Sequence, residues 1–181
     1  MKTRDLAYIA LCTALLSVSA WVAFPIGGIP VTLQTLTLFL ATGLLGWKRG
    51  FFVALAYLAL GFIGIPVFSG FAGGAGVLLS PTGGYLLGFL FVPLCAGAFS
   101  TWMEKTEGKG KILPYALGGL TGLLVCYLFG TLWCALGVGG QAIGFFAALG
   151  VCVLPYLPFD VIKIAVAVLL MIKFKKYIKT R

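Results

Sequence analysis

The amino-acid sequence predicts an all-α integral membrane protein with six transmembrane helices plus a short helix before helix 6. Three observations carry that prediction. The 181 residues are 61% hydrophobic and only 9% charged, with a mean hydropathy of +1.13, whereas an average soluble domain carries roughly 25% charged residues. The apolar residues fall into segments of a length suited to a hydrocarbon core about 30 Å thick. The basic residues fall between those segments on alternate connections. One membrane domain over residues 1–181 accounts for the whole sequence.

The first apolar segment, Leu6 to about Phe24, follows Lys2 and Arg4 and leads into a Pro/Gly turn, so it reads as a retained helix rather than a cleaved signal. Leu33 to Trp47, Phe51 to Pro66, Gly83 to Met103 and Pro114 to Leu136 follow, the second and third of the five being short. Ala142 to Phe174 is too long for one span and contains Pro155 and Pro158. Proline lacks an N–H and crowds the preceding turn. A short helix should therefore end near Val153, and the sixth span should run from about Pro158 to Ile172.

With six crossings, Lys2, Arg4, Lys48, Arg49, Lys105, Lys109, Lys111, Lys173, Lys175, Lys176, Lys179 and Arg181 all lie on one side. The opposite connections, Pro25 to Thr32, Val67 to Thr82 and Gly137 to Leu157, contain no Lys or Arg. The positive-inside rule then puts both termini of this multi-pass chain in the cytoplasm. The net charge of +9 is thus topological. No aromatic interleaving points to nucleic acid, and contact with anionic lipid is a secondary use for the basic tail.

Asp160 is the only acid, and Lys163 the only base, inside a long apolar run. Three residues apart, they share a helix face. An ionisable group at bilayer depth costs roughly 2.5–3.5 kcal/mol on insertion scales, so such pairs mark solute or ion pathways. An ion pair stapling helix 6 to a neighbour is the alternative. The topology places them in the first two turns of helix 6, near the outer surface. Pro158 suits a first turn, and an Asp there meets free amide donors.

The outer connections differ from ordinary polar loops. Gly64 to Tyr85 is rich in glycine and holds Pro66, Phe68, Phe71 and Pro81. Glycine permits close backbone approach, and the apolar side chains suit a lid over the bundle mouth. A mobile linker is the other reading. Gly73-Gly74-Ala75-Gly76 has no following Lys-Ser/Thr and is not a phosphate loop. Gln34 can donate and accept at once, to a polar ligand or to a neighbouring helix. Tyr85, after Thr82-Gly83-Gly84, has a hydroxyl tip suited to a ligand or to the aromatic belt. On helix 1, Ala7, Ala10, Ala14 and Ser17 form a small-residue stripe that lets another helix approach closely, within the chain or in another subunit.

Other classes fit less well. There is no His, and Glu104 and Glu107 lie among lysines on the cytoplasmic side, which leaves little for an enzyme. The five cysteines are scattered singly and read as buried free thiols. No metal or other cofactor is called for. A structural staple and a proton-coupled small-solute transporter using Asp160 remain open on the residues alone.

Several motifs together resemble the BioY family. They are Ile29-Pro30-Val31-Thr32-Leu33-Gln34-Thr35, Leu45-Gly46 with Lys48 and Gly50, Gly61-Phe62-Ile63-Gly64-Ile65-Pro66-Val67-Phe68, Ser80-Pro81-Thr82-Gly83-Gly84-Tyr85, and Pro155 through Lys163. The resemblance implies a single S-component domain that binds biotin with high affinity for uptake by an energy-coupling factor (ECF) transporter. It implies as partners a transmembrane coupling protein and two ATPase subunits. It implies contact of Asp160 and Lys163 with biotin; Gln34, Thr82, Gly83 and Tyr85, near the outer face, are the further candidates for the substrate-binding set. It also implies docking through Ala10 and Ala14. An S component for another vitamin is the nearest alternative. Biotin's ureido ring offers two N–H donors and a carbonyl acceptor, which one carboxylate and one ammonium can satisfy. No arginine lies on the outer side, so Lys163, lid amides or water are left for biotin's carboxylate.

Overall fold

The computed structural model describes residues 2–26, 29–99, 102, 105, 112–138, 140 and 142–175. Met103, Glu104, Glu107, Lys109, Lys111, Lys176, Lys179 and Arg181, all named above, lie outside the described residues, as do Gly27 and Gly28. The fold is mostly helical. Helix α1 spans Thr3–Trp21, α2 Gln34–Leu45 and α3 Trp47–Phe62. Gly46, at φ +87, separates α2 from α3, and its N–H still donates to Thr42 O at 3.0 Å. A residue with a Cβ would be strained at that φ, so glycine suits the abrupt stop.

Between α1 and α2 the chain forms an antiparallel hairpin, β1 Ala23–Ile26 and β2 Ile29–Thr32, pairing Ala23 with Thr32 and Ile26 with Ile29. The sequence reading treats this stretch as a plain connection. The Gly-Gly pair between β-branched residues is a hairpin signal that the helical periodicity around it obscures.

The glycine-rich stretch is folded. Ser69–Phe71 make a 3₁₀ turn, Ala75–Leu78 form α4, and Phe68 pairs with Ala72 across a β-bridge. Trp21 stacks on Phe71 at 4.9 Å and donates from Nε1 to Pro66 O at 3.0 Å, tying the stretch to the end of α1. Phe68 is buried edge-on against Tyr57 at 5.4 Å and over Gly61, where an added Cβ would sit 2.0 Å from its ring. These contacts are those of a packed cover.

The segment expected as Gly83 to Met103 divides into α5 Gly83–Gly88 and α6 Phe91–Ala98. Pro93 supplies the reason: it cannot donate to Phe89 O, and its ring crowds that carbonyl. The joint instead uses three-residue bonds, Phe89 N to Leu86 O and Leu90 N to Leu87 O, both 3.1 Å. Helix α7, Ile112–Ala135, lies along α5 and α6. One stripe of α7 at four-residue spacing makes the close approach possible. A Cβ at Gly118 would lie 3.0 Å from Ala96 Cα, and one at Gly122 would lie 2.8 Å from Val92 Cα. A turn further on, Cys126 Sγ occupies the space over Gly88, and Gly130 receives the ring of Tyr85. Small residues let backbones meet where lipid provides no hydrophobic drive between helices.

Helix α8, Phe145–Cys152, is followed by a turn and then α9, Leu157–Lys175. The break falls where the prolines predict it, with Val153 O accepting from Tyr156 N at 2.9 Å and Leu157 N at 3.0 Å. The core holds Leu16, Leu38, Val53, Tyr57, Leu123 and Met171. Leucines such as Leu11, Leu124, Leu128 and Leu169 face outward. Among the described residues, Ile112–Ala135 is the one helix both long and apolar enough to cross a bilayer on its own. Helix length alone therefore does not yield the expected count of six spans: α2 has 12 residues, and α5 and α6 are shorter still.

One end of the bundle gathers the starts of α1 and α3, joined by Arg49 Nη2 to Asp5 Oδ1 at 2.9 Å. The other end gathers the hairpin, the glycine-rich cover and the start of α9. The functional geometry lies there.

Candidate functional site

A cavity of about 570 Å³ opens at the covered end, lined chiefly by apolar groups including Val31, Phe68, Val77, Leu86, Phe89 and Leu123. Beside Thr32 of β2, Ser69 of the 3₁₀ turn and Tyr156 before α9, its polar groups come from five helices. Gln34 and Thr35 open α2, Thr82 and Tyr85 flank the start of α5, Tyr127 and Cys126 lie on α7, Cys152 ends α8, and Asp160 and Lys163 open α9.

Asp160 is the anchor. It is 5% exposed and sits in the first turn of α9, its N–H bonded to Tyr156 O at 3.1 Å. Lys163 Nζ donates to Asp160 Oδ1 at 2.7 Å, one turn along the same face. Thr35 Oγ1 donates to the same oxygen at 2.8 Å, and Tyr127 Oη donates to Oδ2 at 2.5 Å. The carboxylate thus binds α2, α7 and α9 together. A buried charge costs several kcal/mol unless paired and hydrogen-bonded, and here both oxygens are engaged. Lys163 keeps two further N–H protons, because an ammonium has three.

Thr35 and Tyr127 were missed by sequence reasoning. Thr35 stands next to the singled-out Gln34, and its hydroxyl at the start of a span was the available signal. Tyr127 lies 33 residues before Asp160 in the long apolar helix α7 and carried none.

Gln34 is brought to the cavity but is also held by the fold. Thr32 Oγ1 donates to Gln34 Oε1 at 2.6 Å, and Gln34 Nε2 donates to Tyr57 Oη at 2.6 Å. Tyr57 Oη passes its own proton to Val67 O at 3.0 Å, which fastens the cover to α2 and α3. Thr82 lines the wall, with its hydroxyl 2.9 Å from Ser80 Oγ. Tyr85 lines it too, its hydroxyl 3.3 Å from Thr131 Oγ1 and its ring edge-on to Tyr127 at 6.5 Å.

Gly83 is not brought to the cavity wall. An added Cβ there would fall 1.8 Å from Leu78 O, so its role in the fold is to let α5 abut the end of α4. Ala10 and Ala14 lie on the far side of α1, exposed with Ala7, whereas Ser17 turns inward and donates to Thr13 O at 3.0 Å. The alanine stripe therefore has no partner within the described chain. No group of three or more His, Cys, Asp or Glu converges among the described residues in a way that would hold a metal.

The arrangement suits an uncharged polar ring and an apolar body. At one end a carboxylate can accept and an ammonium can donate, while elsewhere the wall offers mainly carbon.

The sequence profile of the BioY family matches residues 1–180. A probable biotin transporter BioY of Pyrococcus horikoshii is 41% identical over 170 residues, covering 94% of this chain and 95% of that protein. The biotin transporter BioY of Thermotoga maritima is 38% identical over 178 residues, covering 96% of each. Among solved structures, the crystal structure of the S component for biotin from an ECF-type ABC transporter superposes with a TM-score of 0.82. It is 29% identical and covers 97% of this chain and 95% of its own.

Proposed function

The chain belongs to the BioY family, and from that membership we infer that it takes up biotin as the substrate-specific subunit of an ECF-type ABC transporter. It is a membrane transporter component and not an enzyme; the ligand is held and passed on unchanged.

The observation that carries the site assignment is the polar end of the cavity, where Asp160 and Lys163 meet under Thr35 and Tyr127. The ureido ring binds there, one N–H donating to the carboxylate and its carbonyl accepting from Lys163. Thr35 and Tyr127 hold the carboxylate in place. The bicyclic body and valeryl chain fill the apolar part under Phe68 and Val77. Gln34, Thr82 and Tyr85 shape the wall, and Gly83 acts through backbone packing. Biotin is the transported substrate in this reading, which calls for no further cofactor.

The chain crosses the cell membrane six times, with both termini cytoplasmic and the cavity facing out. The outward leucines and the confinement of bases to alternate connections support this topology. The exposed alanine face of α1 docks on a transmembrane coupling protein driven by two ATPase subunits, for which a flat small-residue surface in lipid is suited.

Ligand mass spectrometry of the purified full chain, followed by titration calorimetry, tests the assignment. Biotin is the expected co-purified ligand, and Lys163→Ala is expected to weaken its binding by a few kcal/mol, the loss of a charge-assisted hydrogen bond. Unchanged affinity in that variant would move the site elsewhere.

A further inference from the structure

The cysteines that look scattered in the sequence are not all apart in the fold. Cys134, in the last turn of α7, and Cys152, the last residue of α8, place their sulfurs 3.9 Å apart. Both are buried and free, and with Ala148 they form a small cluster separate from the main core. Cys152 lines the cavity, whereas Cys134 does not.

We propose that Cys134 and Cys152 are a modification site, a dithiol that a small hydroperoxide entering the cavity closes to a disulfide, clamping α8 to α7. Cys152 attacks the peroxide oxygen. The O–O bond breaks, water or an alcohol leaves with the thiol proton, and a sulfenic acid remains. Cys134 then attacks that sulfur. The S–S bond forms, the S–O bond breaks, and a water departs with the second proton. The two thiols lose two electrons, and the hydroperoxide gains them.

The geometry permits closure. A disulfide needs about 2.05 Å between sulfurs, so the pair must approach by about 2 Å. Helix α8 has eight residues and is bounded by Gly144 at φ +76 and by the turn after Val153, so closure requires the shift of one short element. Burial above all, with the adjacent Cys134 thiol, raises the Cys152 thiol above its ordinary value. Cys126 also faces the cavity, but its Sγ donates to Tyr85 O at 3.4 Å.

The test uses the full chain in lipid nanodiscs. Hydrogen peroxide should lower the titratable thiols from five to three, and dithiothreitol should restore them. Peptide mass mapping should show Cys134 joined to Cys152 with the loss of two hydrogens. The midpoint of thermal unfolding should rise on oxidation and fall back on reduction. Cys134→Ala should abolish the cross-link. Five persistent thiols, or a bond involving Cys126, overturns the proposal on the wild-type protein alone. The cavity as entry route rests on the biotin reading. In a preparation that calorimetry shows to bind biotin, saturation should slow the oxidation severalfold, and an unchanged rate overturns that route. A preparation that binds no biotin instead sinks the functional reading, while the thiol count and mass map still decide the disulfide.

Discussion

Replacing Asp160 by Asn keeps the shape of the side chain and removes its charge. In the native protein the carboxylate accepts from Thr35 at 2.8 Å, Lys163 at 2.7 Å and Tyr127 at 2.5 Å. An Asn in the same place can keep the Thr35 and Lys163 bonds through its carbonyl oxygen. Its amide then faces Tyr127 Oη, which can rotate to accept. The scaffold is preserved, but the amide confronts an incoming ureido N–H with a donor where an acceptor is required. Hydrogen bonds to charged groups contribute about 1.5–3 kcal/mol. At about 1.4 kcal/mol per tenfold, Asp160→Asn should weaken biotin binding by about 10- to 150-fold. Competition calorimetry on the detergent-purified protein reads this directly, with thermal unfolding as the check on folding. Asp160→Ala is the contrast. It leaves Lys163 without its counter-charge and two hydroxyls without an acceptor, and should destabilise the fold by about 3–5 kcal/mol. A folded Asp160→Asn protein that binds biotin within about twofold of wild type would refute the reasoning from charge-assisted bonds.

Tyr127→Phe removes the donor to Asp160 Oδ2 while keeping the ring against Tyr85. It should reduce biotin affinity by about tenfold, one hydrogen bond to a charged group, as measured by the same calorimetry. Gly61→Ala would put a methyl 2.0 Å from the Phe68 ring and displace the cover. Thermal unfolding should show a loss of about 1–3 kcal/mol, as overpacking typically costs. Ala10→Trp and Ala14→Trp alter an exposed face remote from the cavity. Biotin binding should persist while uptake by cells carrying the coupling protein and ATPases is lost. Normal uptake would remove the docking role. Arg49→Ala breaks the 2.9 Å bridge to Asp5. Because the pair is partly exposed, unfolding should shift by less than about 1 kcal/mol.

Much of the fold was legible because helices in a membrane protein are specified locally. Long apolar runs and the Pro155 and Pro158 break each act within about one turn, and α2 and the break between α8 and α9 follow them, whereas α3, expected over Phe51 to Pro66, spans Trp47–Phe62 because the second segment stops at Gly46. Two further features were misjudged for local reasons. Pro93 divides the fourth segment, and the pairing of Ala23–Ile26 with Ile29–Thr32 makes a hairpin of an expected connection. The four-residue stripe of Gly118, Gly122, Cys126 and Gly130 was present in the sequence, but its meaning depended on Ala96, Val92, Gly88 and Tyr85 meeting it.

The sequence by itself determined the membrane class, the placement of charge, and the pairing of Asp160 with Lys163, because residues three apart on a helix share a face wherever that helix lies. Only the tertiary structure decided what surrounds the pair. Thr35 is 125 residues from Asp160 and Tyr127 is 33 away, and no periodicity within one helix can say which neighbour it will face. The same holds for the sulfurs of Cys134 and Cys152, on two helices joined by a connection of nine residues, 136–144. Contacts between helices are set by which small residues allow close approach and which buried polar groups must find partners, and both conditions are met only when the whole bundle is packed.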